Sequence, residues 1–148
     1  MMSETLDVDY DVDYHAWLTA NAALLRAGRL SDIDAAQIAE ELDDMGKSER
    51  RAIESWLKVL ILHLLKWRLQ PMRRGVSWQQ SIDNARDEID RRLQDSPSLR
   101  PRLDEMIAAR YPAVRRMAMR ETGLPLDTFP ERCPFAIGDL LDLEFWPD

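Results

Sequence analysis

Apolar positions are densest between Ser48 and Leu69. There Ile53, Trp56, Leu57, Leu60, Ile61 and Leu64 follow the i, i+3, i+4 spacing of one buried helical stripe. Val59, Leu62, Leu65 and Leu69 fill the opposite side, so the run Val59-Leu60-Ile61-Leu62-His63-Leu64-Leu65 has a single polar member. A helix apolar round most of its circumference is either buried on several sides or crosses a membrane. Lys58, His63 and Lys66 interrupt this one too often for the ~20 consecutive apolar residues of a membrane span. The pattern predicts the axis of a helical bundle and no membrane partner.

The flanking segments carry narrower stripes and clear stop signals. A first helix is expected to begin at Asp13, a good N-cap, to carry Trp17, Leu18, Leu24 and Leu25 inward, and to end at Gly28, a C′ residue able to take positive φ. Ser31 with Asp34 resembles a capping box (usually completed by Glu or Gln). It opens a second helix with Ala35, Ile38, Ala39, Leu42 and Met45 on one face and Glu40, Glu41, Asp43 and Asp44 outward. Gly46 is expected to close that helix and Ser48 to cap the long third one. Pro71 stops the third, because the residue before a proline is pushed out of the α region.

After a polar connection over 72–76, Ser77 with Gln80 forms another capping box, and Trp78, Ile82, Ala85, Ile89 and Leu93 mark a fourth helix. Ser96 as N-cap and Pro97 at the first helical position start a fifth. Its inward positions are Leu99, Leu103, Met106, Ile107, Tyr111, Val114, Met117 and Ala118, and Gly123 is its stop. Pro112 removes an i→i−4 bond and predicts a kink or a break near Arg110. No segment sustains a period of two, so no sheet is expected. The predicted class is all-α: an antiparallel bundle of four to five helices around a long central helix. A proline-rich tail over 124–148 wraps it, with a last turn or two in Ala136–Asp142 and an apolar clasp of Phe145 and Trp146.

Composition narrows the setting. A chain of 148 residues fits one domain, 1–148, with a core large enough to need neither disulfides nor metals. Hydrophobic content of 45% with 32% charged residues argues against bulk disorder. In the repeat Asp7-Val8-Asp9-Tyr10, Asp11-Val12-Asp13-Tyr14, four alternating aspartates repel one another, which predicts a poorly ordered acidic arm over residues 1–12. Met1 to Asp7 offer neither a basic nor an apolar signal region, so no secretory signal is expected. The single Cys133 cannot form an internal disulfide and fits a reducing cytoplasm. With no histidine near it in the sequence, a structural thiol outweighs a nucleophile or a redox sensor.

Charge is segregated. Residues 1–47 hold eleven acidic and three basic side chains, a balance of −8. Residues 48–122 hold ten acidic and sixteen basic (+6), and residues 123–148 six acidic and one basic (−5). A basic middle between acidic ends can signal a nucleic-acid surface, but here the opposite charge comes in the same chain. Self-complementation, within a monomer or across a homo-oligomer, is the preferred reading. A twofold dimer is expected, and another cellular protein is an open partner.

Candidate chemistry is sparse. His15 and His63 stand in no HExxH and have no Glu-x-x-His spacing, so neither a metal nor any other cofactor is expected. There is no GxSxG, P-loop or GxGxxG, and no catalytic residue is assigned. Glu40 and Glu41 are adjacent and so point about 100° apart on a helix, which keeps them from facing one substrate together. Glu40 with His63, Lys66 and Arg74 makes a candidate buried polar network. Arg73, Arg74, Arg91, Arg92, Arg100, Arg102, Arg110, Arg115, Arg116 and Arg120 cluster in the second half. Trp67, Arg73, Arg74 and Trp78 form a candidate binding surface, because arginine with aromatic rings can hold phosphate and stack bases. Asp83, Asp87, Glu88, Asp90, Asp104 and Glu105 interleave these arginines, which favours a solvated face laced with i, i+4 pairs. A non-catalytic protein-interaction module is therefore preferred, followed by a nucleic-acid-associated regulator using residues 73–120, then by a small-molecule enzyme.

A run of landmarks carries a family resemblance. Trp17-Leu18, Asn21, Leu24-Leu25-Arg26-Ala27-Gly28-Arg29-Leu30, Ile38-Ala39-Glu40-Glu41-Leu42 and Met45-Gly46-Lys47-Ser48-Glu49-Arg50-Arg51 open it. His63-Leu64-Leu65-Lys66-Trp67, Gln70-Pro71, Arg74, Ser77-Trp78, Asp95-Ser96-Pro97-Ser98-Leu99, Glu121-Thr122-Gly123-Leu124 and Cys133-Pro134-Phe135 continue it in order. Over nearly its whole length the chain resembles the small bacterial family known as domain of unknown function 29. The resemblance implies an all-α bundle and a bacterial cytoplasmic protein, often a stand-alone gene product. It brings no activity and no catalytic residue. Pro112 departs from the family's uninterrupted helix.

Overall fold

Five α-helices and no strand make up the computed structural model of the chain, which describes residues 8–148. They are α1 (Tyr14–Arg26), α2 (Ala35–Leu69), α3 (Val76–Asp95), α4 (Leu103–Thr122) and α5 (Ile137–Leu141). Short 3-10 turns occupy Pro71–Arg73, Pro97–Arg102 and Leu126–Thr128. Two compact units divide the chain, Met1–Lys47 and Ser48–Asp148. Residues 1–7 of the expected acidic arm lie outside the described residues.

In the first unit, Asp9 organises the lead into α1: its carbonyl accepts the N–H groups of Val12 and Asp13, and its carboxylate that of Asp11. Asp13 caps α1 by accepting the Ala16 N–H at 3.0 Å. At the other end, the Arg29 N–H reaches the Leu24 carbonyl and the Gly28 N–H that of Leu25, a Schellman closure that needs the φ of 71° at Gly28. Trp17 is buried, and its indole N–H donates to Asp34. The same Asp34 carboxylate accepts the Gln37 N–H in the first turn of α2. Asn21 is also buried, donating to the Trp17 carbonyl and accepting the Asp34 N–H at 3.0 Å each. Trp17, Asn21 and Leu24, spaced four and three, are thus the inward stripe of α1. Leu18 and Leu25, expected inward, lie one position past it and are exposed, as are Leu42 and Met45 on α2.

The expected break at Gly46 and cap at Ser48 are absent: α2 is one helix of 35 residues. A glycine inside a helix costs about 1 kcal/mol relative to alanine, which neighbouring turns readily absorb. Gly46 does not adopt positive φ, whereas Gly28 and Gly123, which end helices, both do.

In the second unit, the core joins Ile53, Leu57, Leu60 and Leu64 of α2 to Ile82, Ala85, Ile89 and Leu93 of α3 and to Leu103, Met106, Val114 and Ala118 of α4. Phe129, Phe135 and Leu140 of the C-terminal segment complete it. Cross-helix contacts give the directions. Arg92 meets Glu49 and Lys66 meets Trp78, so α3 runs opposite to α2. Arg110 meets Glu54 and Glu121 meets Lys66, so α4 returns parallel to it.

Three expected boundaries shift. α3 starts at Val76 with extended Gly75 as its N-cap, and the Gln79 N–H bonds the Gly75 carbonyl; Ser77 is already helical and caps nothing. Ser96 opens a 3-10 turn rather than α4, and Pro101 lacks the N–H that α-bonding would send to the Pro97 carbonyl. Finally, α4 is not broken at Arg110 but runs on through Pro112 to Gly123, which takes φ 73°. The lost bond costs about 3 kcal/mol, and burial of Met106, Ile107, Tyr111, Val114 and Ala118 on both sides of the proline offsets it.

Candidate interaction surface

The four residues of the proposed polar network come from both units. Glu40 belongs to the first unit and is exposed. Of the three in the second unit, His63 is half-buried with Nδ1 2.7 Å from the Val59 carbonyl of its own helix. Lys66 pairs with Glu121 at 3.4 Å and lies 5.0 Å from the centre of the Trp78 ring. Arg74 donates Nε to the Trp67 carbonyl at 2.7 Å and Nη2 to the Pro147 carbonyl at 3.3 Å.

Of the tryptophan–arginine surface, Trp67 and Arg74 meet, and further residues of the same chain pack on them. Arg74 stacks over Trp67 at 5.2 Å, and the other neighbour of Trp67 is Trp146, with ring centres 4.8 Å apart and planes at 48°. Lys66 covers Trp78. Such cation–π contacts contribute about 0.5–2 kcal/mol each. Each occupies one of the two ring faces on which a base would stack. Arg73 remains exposed in the turn after α2.

Sequence reasoning passed over Arg86, which is 1% exposed. Its Nε donates to the Leu140 carbonyl at 2.8 Å, and its Nη2 to the carbonyls of Asp139 and Phe145 at 3.3 and 2.8 Å. It also lies 5.6 Å from the Trp146 ring. A guanidinium thus satisfies the last carbonyls of α5, where a cation also complements the helix dipole. Nη1 has no partner, and desolvation pushes the pKa of the group down. One signal was available: 82, 86, 89 and 93 are spaced four, three and four, so Arg86 sits on the buried stripe.

Most of the basic face is already paired. Glu54, 7% exposed, takes Arg110 at 2.6 Å and Arg50 at 3.3 Å. Glu105 takes Arg102 and Arg50, whose hydrogen bonds hold its carboxyl below the ordinary range. Arg91 and Arg92 take Glu88, and Arg92 also Glu49. Arg115 donates to the Phe129 carbonyl. Six of the ten arginines that suggested a phosphate surface (Arg74, Arg91, Arg92, Arg102, Arg110 and Arg115) are therefore engaged within the second unit.

Two of the concavities in the second unit lie against α4. A cleft of about 440 Å³ is lined by Ile107, Ala108, Tyr111, Pro112, Glu131 and Cys133 among others. The Tyr111 hydroxyl is committed to the Pro130 carbonyl at 2.6 Å, and burial pushes its pKa up to about 12. Burial likewise pushes the Cys133 thiol up, the opposite of an activated nucleophile. The other concavity, about 170 Å³ between α2 and α4, has Val59, Leu62 and Met117 as its apolar lining, with Ser55 and Lys58 beside them.

The first unit has a different surface. Tyr10 and Tyr14 both donate their hydroxyls to Glu41, and the hydrogen bond to Glu41 pushes the Tyr10 pKa up to about 12. The Tyr10 ring meets Tyr14 and Trp17 edge-on at 5.1 and 5.0 Å. Beyond this cluster Leu42 and Met45 are 63% and 61% exposed, next to the exposed acids Glu40, Asp43 and Asp44. Among the described residues no three His, Cys, Asp or Glu side chains converge on a metal-sized site, and no helix is long and apolar enough to cross a membrane.

The chain belongs to the family described as the domain of unknown function DUF29, whose model matches residues 10–146. No curated protein and no solved structure matches it significantly.

Proposed function

We propose that the protein is a non-catalytic interaction module of the bacterial cytoplasm that pairs with a second copy of itself in a twofold dimer, both units acting as one domain over 1–148. The carrying observation lies in the first unit, where Leu42 and Met45 are exposed beside Glu40, Asp43 and Asp44 on α2, and Leu18 and Leu25 are exposed on α1. Fully burying a leucine or methionine contributes roughly 1.5–3 kcal/mol, so covering Leu42 and Met45, each more than half exposed, favours association. Charge supplies direction: residues 1–47 carry −8 and residues 48–122 carry +6, so a second copy offers each segment its opposite. In a twofold pair every such contact occurs twice.

Nucleic-acid binding takes second place because six of its ten candidate arginines are engaged and the rings of Trp67 and Trp78 are covered. Light scattering of the full chain at micromolar concentration and ~0.15 M salt is expected to return twice the 17.2 kDa chain mass. A monomer mass there sinks the proposal. A duplex complex that survives this salt and is lost on Arg73→Ala with Arg116→Ala would move the assignment to the nucleic-acid reading.

A further inference from the structure

The groove between α2 and α4 has the features of a helix-binding seat. Ser55, Lys58, Val59 and Leu62 lie within two turns on one side of α2, and Met117 closes the groove from α4 with 38% of its surface exposed. Four cations line this apolar floor or lie within one helical turn of a residue that does. Lys58 lines it; Arg51 is one turn before Ser55 on α2; Arg116 and Arg120 lie one and three residues from Met117 on α4. Arg50, Arg92, Arg102 and Arg110 of the same unit all have carboxylate partners, whereas these four have none among the described residues. An apolar groove edged by uncompensated cations calls for an apolar ridge flanked by carboxylates.

The chain carries one. Leu42 and Met45, spaced i, i+3, project from α2 with Glu40, Asp43 and Asp44 exposed on the same two turns, while Glu41 is turned to Tyr10 and Tyr14. Helices dock in grooves through such anchors one turn apart, with flanking charge setting register and partner choice. Resting on the self-association proposed above, we infer that the α2–α4 groove of one copy seats the Leu42–Met45 face of the other. Lys58 and Arg120 then face Asp43 and Asp44 across each of two equivalent contacts.

Charge exchange in the full-length chain tests this. One variant reverses the groove (Lys58→Glu with Arg120→Glu), the other the helix (Asp43→Lys with Asp44→Lys), and circular dichroism checks that each stays helical. Each variant alone places like charges together twice per dimer and should raise the dimer dissociation constant at least ~10-fold. An equimolar mixture restores opposite charge at both contacts, so a heterodimer should form within about threefold of wild-type affinity. A wild-type chain that is monomeric overturns the self-association reading itself. A wild-type dimer that neither variant weakens, or weakened variants that the mixture does not rescue, overturns the seat alone.

Discussion

Replacing Arg86 with methionine asks whether one buried guanidinium holds the C-terminal segment. Methionine keeps an unbranched apolar stem of similar reach and removes all three donations to Leu140, Asp139 and Phe145. Hydrogen bonds from a charged donor contribute about 1.5–3 kcal/mol each, so the gross loss is roughly 4–9 kcal/mol. Against this stands relief of the desolvation that lowers the Arg86 pKa, a penalty of several kcal/mol for a buried ion. The orphaned Nη1 adds to that relief. The net loss is about 3 kcal/mol, because the carbonyls of Leu140, Asp139 and Phe145 lose their donor and an unsatisfied buried acceptor costs about 1–3 kcal/mol. For a unit of this size that lowers the melting temperature by roughly 10–20 °C. Urea unfolding followed by tryptophan emission reads the change directly, because Trp146 lies against both Arg86 and Trp67. Limited proteolysis should show faster cleavage within 137–148. A loss below ~1 kcal/mol with unchanged proteolysis would refute the assignment of Arg86 as the anchor.

Two further tests address local structure and charge. Gly46→Ala should raise stability by roughly 0.5–1 kcal/mol, since Gly46 lies inside continuous α2 and nothing stands within 4 Å of the added Cβ, whereas Gly123→Ala should lower it by about 1 kcal/mol because φ there is 73°. Thermal melts decide, and a destabilising Gly46→Ala would count against an unbroken α2. Glu105→Gln probes the ion pairs at the start of α4. Arg102 and Arg50 depress the carboxyl pKa in the folded chain, so its stabilisation is whole above the unfolded value of about 4.5 and is lost as pH falls toward the folded value. The variant should be slightly less stable than wild type near pH 7, with urea midpoints converging below pH 4.5. An offset that stays constant with pH would rule out the pair as its source.

What the sequence disclosed and what it hid follow from the range of the interactions involved. Asp13, Gly28, Pro71 and Gly123 act within a turn of themselves, through a side-chain cap, a left-handed φ or a missing N–H, and those boundaries were legible. Gly46 has the same identity as Gly28 but no role as a stop, and nothing local distinguishes the two. Pro112 breaks its local rule because burial on both sides outweighs one lost hydrogen bond. Trp67 and Arg74 are close enough in sequence to be grouped as one surface, yet the packing of Trp146 on Trp67 joins residues far apart in the chain. Arg86 was hardest to read. Its partners are backbone carbonyls 53 to 59 residues away, and a carbonyl has no residue type to recognise. The pairing of Glu54 with Arg110 is equally remote, whereas the pairs of Arg91 and Arg92 with Glu88 follow the interleaving of charges visible along the chain.

Hydrogen–deuterium exchange of the wild-type chain, at concentrations well above and well below the dimer dissociation constant, tests the central claim most directly. Association should slow amide exchange in two separate stretches, 38–45 on α2 and the groove walls at 55–62 and 114–120, because docking suppresses their local opening. The Arg86-anchored segment 137–147 should exchange alike at both concentrations. Exchange that is independent of concentration throughout, or protection confined to the Trp67–Arg74 region, would contradict association through the Leu42–Met45 face.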